Sequence, residues 1–139
     1  MYRSLLKKEE SYAIHAIVSI ANNPGTNAAE IAAQFEMPAA FMAKVLRKLT
    51  IAKLITSKMG RNGGTWLNCE PSKTSVLDII QAMSGYVILD DCESHTDCIT
   101  KSKKGRCVLN EHYTAASVEI RKILASILIS QLSEYASKS

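Results

Sequence analysis

The sequence predicts a mainly α protein: a winged helix-turn-helix domain, a linking stretch and a long C-terminal helix. Apolar residues recur at helical spacing in several separate segments. Two short runs of β-type composition flank a glycine-rich turn directly after a basic helix. The charge is lopsided: residues 1–68 hold nine Lys/Arg and four Asp/Glu, whereas residues 69–139 hold eight and nine. A chain of 139 residues suits one domain, with or without a dimerisation arm, and can bury a core without disulfides or a metal. That core is aliphatic, because aromatics supply only 6% of the chain.

The elements follow in order. Residues 8–22, KEESYAIHAIVSIAN, place Tyr12, Ile14, Ile17, Val18 and Ile20 near helical spacing, and Asn23-Pro24-Gly25 stops the helix. Asn27 caps the next helix, about 28–35, with Glu30 at capping-box spacing; it buries Ile31 and Phe35. Glu36-Met37-Pro38 breaks the chain, and Pro38 is well placed at a helix start. The third helix, about 39–53, turns Phe41, Met42, Val45, Leu46 and Leu49 inward and Lys44, Arg47 and Lys48 outward. Two helices joined by a short turn, the second basic, make a helix-turn-helix. LITSKMGRNGGTWLNCE, residues 54–70, then reads as a β-hairpin wing, with Gly60, Asn62, Gly63 and Gly64 in the turn and Arg61 near its tip.

Residues 75–84 form another short helix, ended by Gly85. From about 109 to 135 the pattern reads as a single helix with Ala116, Ile120, Ile123, Leu124, Ile127, Leu128 and Leu132 on a wide apolar stripe. The rest of the chain is too short to cover it, so this helix is expected to pair with its copy in a homodimer. The resulting division is a winged domain over 1–70, a linking helix and cysteine loop over 71–108, and a dimerisation helix over 109–139. A winged helix on a basic half-chain reads as a binder of double-stranded DNA, the recognition helix in the major groove and the wing on a neighbouring groove or the backbone.

The cysteines pose a separate question. DDCESHTDCITKSKKGRC, residues 90–107, gathers three of the four. No signal peptide or apolar run of membrane-spanning length is visible, so the expected compartment is the cytoplasm, with no membrane. Clustered thiols there point to metal binding or redox chemistry. The spacing Cys92-x5-Cys98-x8-Cys107 lacks the tight pair usual for zinc, whereas iron–sulfur clusters accept more varied spacings. Lys101, Lys103, Lys104 and Arg106 flank Cys107, and positive neighbours are expected to lower a thiol pKa, which suits a metal ligand and a redox thiol equally. Cys69, just past the wing, reads as a small core residue. No C-x-x-C pair, nucleophile–base constellation or phosphate loop points to an enzyme.

The strings YAIHAIVSIA (12–21), EIAAQFEMPAAFMAKVLRKLTIAKLI (30–55), the glycines 60, 63 and 64, EPSKTSVLDIIQAMSG (70–85) and the three-cysteine loop resemble, in that order, the Rrf-two family of bacterial transcription regulators. The resemblance implies a homodimer on imperfect palindromes, with a [2Fe–2S] or [4Fe–4S] cluster on Cys92, Cys98 and Cys107 that senses redox, nitric oxide or cluster status. It also implies a fourth ligand from His, Asp or Glu, for which His15, Glu9, Glu10 and His112 are the candidates. Where a His often follows the third cysteine by three residues, this chain has Asn110. The alternative is a cluster-free regulator switched by thiol oxidation or a partner protein. DNA contact is expected from Lys44, Arg47, Lys48 and Arg61, and at Ala40. Two departures bear on readout: Met59 stands where the family often has an arginine before the first wing glycine, and Ala39, Ala40 and Ala43 replace polar residues early in the recognition helix.

Overall fold

The computed structural model describes residues 1–94 and 99–138. Helix α1 (Lys8–Asn22) starts where the Lys7 amide donates to Glu10 Oε1 at 2.7 Å. The reach-back satisfies an orphan donor and holds the buried carboxylate in the first turn, where the helix dipole favours it. Ala13, Ala16, Ile17 and Ile20 then lie fully buried along one face.

Helix α2 (Ala28–Gln34) is capped by Asn27 Oδ1, which accepts from the Glu30 amide at 2.9 Å, while Glu30 takes the Asn27 side-chain amide and the Thr26 hydroxyl. It ends with Glu36 at φ 52°, the Met37 amide returning to the Ala32 carbonyl and the Glu36 amide to that of Ala33. Helix α3 (Ala39–Ile51) ends the same way, with Lys53 at φ 64° and the Leu54 amide on the Leu49 carbonyl. Both are Schellman closures built on non-glycine residues. Met42, Val45, Leu46 and Leu49 of α3 meet Ile17, Ile20 and Ile31 in the core, with Phe35 and Phe41 packed at its edge.

The wing is an antiparallel pair, β1 (Ile55–Lys58) and β2 (Gly64–Leu67), in register Ile55↔Leu67 to Lys58↔Gly64. It is stitched to the loop after α1: the Gly25 amide donates to the Thr65 carbonyl, and the Thr65 amide to the Thr26 carbonyl, each at 2.8 Å. The wing is thereby referenced to the start of α2 as well as to the end of α3.

Helix α4 (Val76–Ser84), capped by reciprocal Ser75–Asp78 bonds, packs on α1 and α3. A 3-10 turn, Asp91–Glu93, and a short helix α5 (Ile99–Lys104) follow. The single helix expected over 109–135 is instead two: α6 (Val108–Ala125) and α7 (Ile129–Lys138). The segment between is captured by the stretch before α4. The Val76 amide bonds the Ile127 carbonyl, and the Ile129 and Ser130 amides bond the Thr74 and Pro71 carbonyls, all at 2.9 Å. Helix α7 turns back onto α1, with Ile129 fully buried and Leu132 against the core. These two residues therefore close this chain's own core, whereas α6 leaves Val108, Leu109, Val118 and Ile123 exposed.

Candidate nucleic-acid interface and cysteine site

Four inward residues fix the rotation of α3, so Ala40, Lys44, Arg47 and Ile51 fall on one outward stripe, and each is exposed. Across a groove of about 570 Å³ stands the wing. Asn27, Ala43, Arg47, Ile51, Lys58 and Met59 line that groove. Arg61 is exposed in the wing turn, whose fold needs glycine at 63: a Cβ there would sit 2.3 Å from the Lys58 carbonyl oxygen. Among the described residues, Lys44, Arg47, Lys58 and Arg61 have no carboxylate partner. This face thus offers unpaired cations on two rigid elements, one sized for a major groove.

Lys48 is placed differently. It lies toward α1, and its Nζ is 3.2 Å from both carboxylate oxygens of Glu9. Lys8 covers the Phe41 ring beside it at 5.6 Å. Lys48 therefore braces α3 against α1 and shares its charge with Glu9.

Two of the expected sulfur ligands converge on one residue. Cys107 is the N-cap of α6, and its Sγ lies 3.5 Å from the Asn110 amide nitrogen that donates to it. Asn110 Nδ2 reaches back to the Cys92 carbonyl at 3.2 Å and to Cys92 Sγ at 3.5 Å. Cys98 lies outside the described residues. Neither described sulfur is in a disulfide, and both are half-buried. Two thiols turned toward one point of α6 suit a shared soft-metal or redox centre. An iron–sulfur cluster fits that donor chemistry as far as the described residues extend.

The electrostatics of Cys92 oppose its thiolate. The Asn110 amide lowers its pKa, but the Asp90 carboxylate, partial desolvation and the Cys107 sulfur outweigh that, so the thiol is held above the ordinary cysteine value. Asp90 itself is lowered by the Cys92 backbone N–H and side chain. Of the four cations flanking Cys107, Arg106 pairs with Glu111 at 2.5 Å.

The proposed fourth ligands are not gathered here. His15 is exposed and packs at a tilt against Phe35, ring centroids 5.0 Å apart and planes at 46°, beside Tyr12. Glu10 is buried and spent on the α1 cap. Glu9 holds Lys48, and His112, two residues past Asn110, sits on the other side of α6. Among the described residues no three His, Cys, Asp or Glu side chains assemble as a metal centre. The residue that sequence reasoning missed is Ser117, fully buried on α6. Its signal was the spacing Asn110–Ser117–Arg121, seven and four residues, which puts three hydrogen-bonding side chains on one helix face. Cys69 is a half-buried free thiol just after β2.

Known proteins resemble the chain over nearly its whole length. Residues 6–135 match the family model described as "Rrf2: Iron-dependent Transcriptional regulator". An HTH-type transcriptional regulator of Rhodopseudomonas palustris, BadM, is 30% identical over 126 residues, covering 89% of this chain and 80% of that one. The structure of CymR, described as the global cysteine regulator of B. subtilis, superposes with a TM-score of 0.70 at 20% identity, over 97% of this chain and 98% of that one. The IscR structure from T. potens gives 0.67 at 20% identity, over 96% and 88%. The structural likenesses establish the winged helix fold.

Proposed function

Because the chain belongs to the Rrf2 family of iron-dependent transcriptional regulators, we propose that it is a cytoplasmic regulator that binds palindromic double-stranded DNA as a homodimer and senses redox or iron–sulfur status at its cysteine loop. As a member of that family it is a transcription regulator and not an enzyme. Among the described residues, no helix is long and apolar enough to cross a membrane.

The observation that carries the reading is the joint between two surfaces. On one side stands the cationic α3–wing face. On the other, Cys92 and Cys107 meet at Asn110 on α6. Helix α4 lies between them: it packs on α3 and α6, and the Gln81 side chain accepts from the Val87 amide at 3.2 Å, at the start of the segment leading to Cys92. A change in how Cys92 is held therefore reaches α4 and, through it, the recognition helix. In a dimer this alters the spacing of two recognition helices meant for half-sites one helical turn apart.

Pairing is assigned to α6. Leu109, Ala116 and Ile123 recur every seven residues beside the face that packs internally, and Leu109 and Ile123 remain 57% and 62% exposed. That is the period of a coiled-coil seam. Ile123→Asp is expected to convert a dimer to monomer in sedimentation.

Cys92, Cys98 and Cys107 would hold a cluster, with His15 or Glu10 supplied by a second subunit, since among the described residues neither joins Cys92 and Cys107 in a metal-binding group within its own chain. When bound, a cluster supplies a redox-active, ligand-exchanging centre. The chain's own part is to present thiolates from the 3-10 turn and the α6 N-terminus, with Asn110 between them. Anaerobic purification tests this. Iron, sulfide and visible absorbance that vanish in Cys92→Ala, with DNA affinity changing on cluster loss, are expected. Colourless, iron-free protein would remove the cluster. The convergence of Cys92 and Cys107 on one residue, Asn110, which meets them with its side-chain amide and its backbone N–H respectively, also favours the second reading, reversible oxidation of that thiol pair without metal. Intact-mass loss of two hydrogens on treatment with a two-electron oxidant, coupled to DNA release, would select it.

A further inference from the structure

The first turn of α3 lacks any side chain able to hydrogen-bond a base edge. Pro38 caps it, Ala39 and Ala40 are exposed, and Ala43, one turn on, lies at the mouth of the groove beside the wing. The first polar side chain of the helix is Lys44, followed by Arg47. A recognition helix presents its N-terminal residues to the base edges. Long flexible cations further along the helix suit phosphates, which position the protein without reading sequence.

A methyl side chain has one specific partner in the major groove, the 5-methyl group of thymine. Three alanines at positions 39, 40 and 43 make a smooth methyl surface. They also let the helix backbone approach the groove floor more closely than long polar side chains would. Cytosine carries only a hydrogen where thymine carries the methyl, and the purines carry none, so the other bases lose this apolar contact at the contacted steps.

We propose that this recognition helix reads thymine 5-methyl groups in each half-site through Ala39, Ala40 and Ala43. The proposal rests on the DNA-binding reading of α3 and specifies what that surface selects.

The test uses the full-length protein, purified anaerobically, and duplexes it selects from a randomised pool. Each thymine of a selected half-site is replaced in turn by deoxyuridine, which removes only the methyl. At two or three symmetric positions, affinity is expected to fall about 3- to 10-fold, the worth of one or two buried methyl contacts. Ala40→Gly should collapse the thymine-to-uracil ratio at one of them. Lys44→Gln should weaken both duplexes alike and leave the ratio intact. A selected site whose thymines all tolerate uracil, or a site with no thymine at the contacted steps, would overturn the proposal while leaving DNA binding in place. Failure to enrich or bind any duplex at low salt would overturn the DNA-binding reading, and this inference with it.

Discussion

Ser117, fully buried on α6, donates its hydroxyl to Glu93 Oε2 at 2.8 Å. The same hydroxyl accepts from the Leu89 amide at 2.7 Å, and the same carboxylate oxygen takes the Leu89 and Asp90 amides at 3.0 and 3.1 Å. Lower on the same face, Arg121 donates to the Val87 carbonyl at 2.7 Å and covers the Tyr86 ring at 4.4 Å. One polar stripe of α6 therefore holds the whole segment from Tyr86 to the turn bearing Cys92. Ser117→Ala removes the hub without adding volume. We expect a loss of about 1–3 kcal/mol in urea unfolding, the range for a buried bond to a charged group. Hydrogen exchange at Leu89 and Asp90 and alkylation of Cys92 should both quicken. Unchanged exchange at those amides would mean that α6 does not hold the segment.

The raised Cys92 pKa has a direct consequence in metal-free protein. A thiol whose folded pKa exceeds its unfolded value favours the folded state at pH below the unfolded value. That contribution is lost as pH rises through the folded one. Cys92 should therefore alkylate more slowly than an unstructured cysteine at neutral pH, and the folded protein should weaken on the alkaline side. Asp90→Asn removes the carboxylate that opposes the thiolate while keeping an oxygen for the Cys92 amide. The rate-versus-pH profile of iodoacetamide labelling should move to lower pH. A profile that stays in place, or moves up, would show that Asp90 does not control the thiol.

Much of this was legible because it is local. The Asn27–Glu30 cap is a pattern spaced three residues apart, and the inward face of α3 follows from its period alone. The small residues Ala13 and Ala16 were harder to see, because they carry the α1 packing without a strong apolar signal. The break at 126–128 was not legible. That stretch holds no Gly or Pro, its apolar spacing continues, and the bonds that stop the helix come from residues some fifty positions earlier. The raised Cys92 pKa was not legible for a related reason: it depends on the turn that sets the Asp90 carboxylate beside the sulfur.

Sequence alone ranks Lys44, Arg47, Lys48 and Arg61 alike as DNA contacts, but the structure separates Lys48. Each cation that neutralises one phosphate contributes about 0.9 to the slope of log affinity against log salt. Arg47→Ala and Arg61→Ala should each flatten that slope by about one per subunit. Lys48→Ala should change it less, because its Nζ is held by both oxygens of Glu9, and should instead cost up to about 1 kcal/mol of stability. Glu9→Gln frees the lysine and should steepen the slope. Equal effects from Lys48 and Arg47 would place Lys48 on the DNA.

Gly64 fixes the wing to the body of the domain. A Cβ there would lie 2.0 Å from the Gly25 carbonyl oxygen and 2.6 Å from its carbon, both backbone atoms that no rotamer change can clear. The loop after α1 would have to withdraw, breaking the two 2.8 Å bonds between residues 25–26 and Thr65. Gly64→Ala should therefore cost about 2–4 kcal/mol, overpacking plus the lost pairing, and should loosen the wing. Gly60 offers the contrast: its φ of 101° disfavours a side chain, but nothing lies within 4 Å of the added Cβ. Gly60→Ala should cost about 1 kcal/mol. In thermal unfolding the two variants should separate clearly. Among folded molecules at low temperature, Gly64→Ala should lose DNA affinity by more than its unfolded fraction explains, because Arg61 and Lys58 would no longer be set against α3. Equal stability of the two variants would show that the contact with Gly25 relaxes freely and that the wing is anchored by α3 alone.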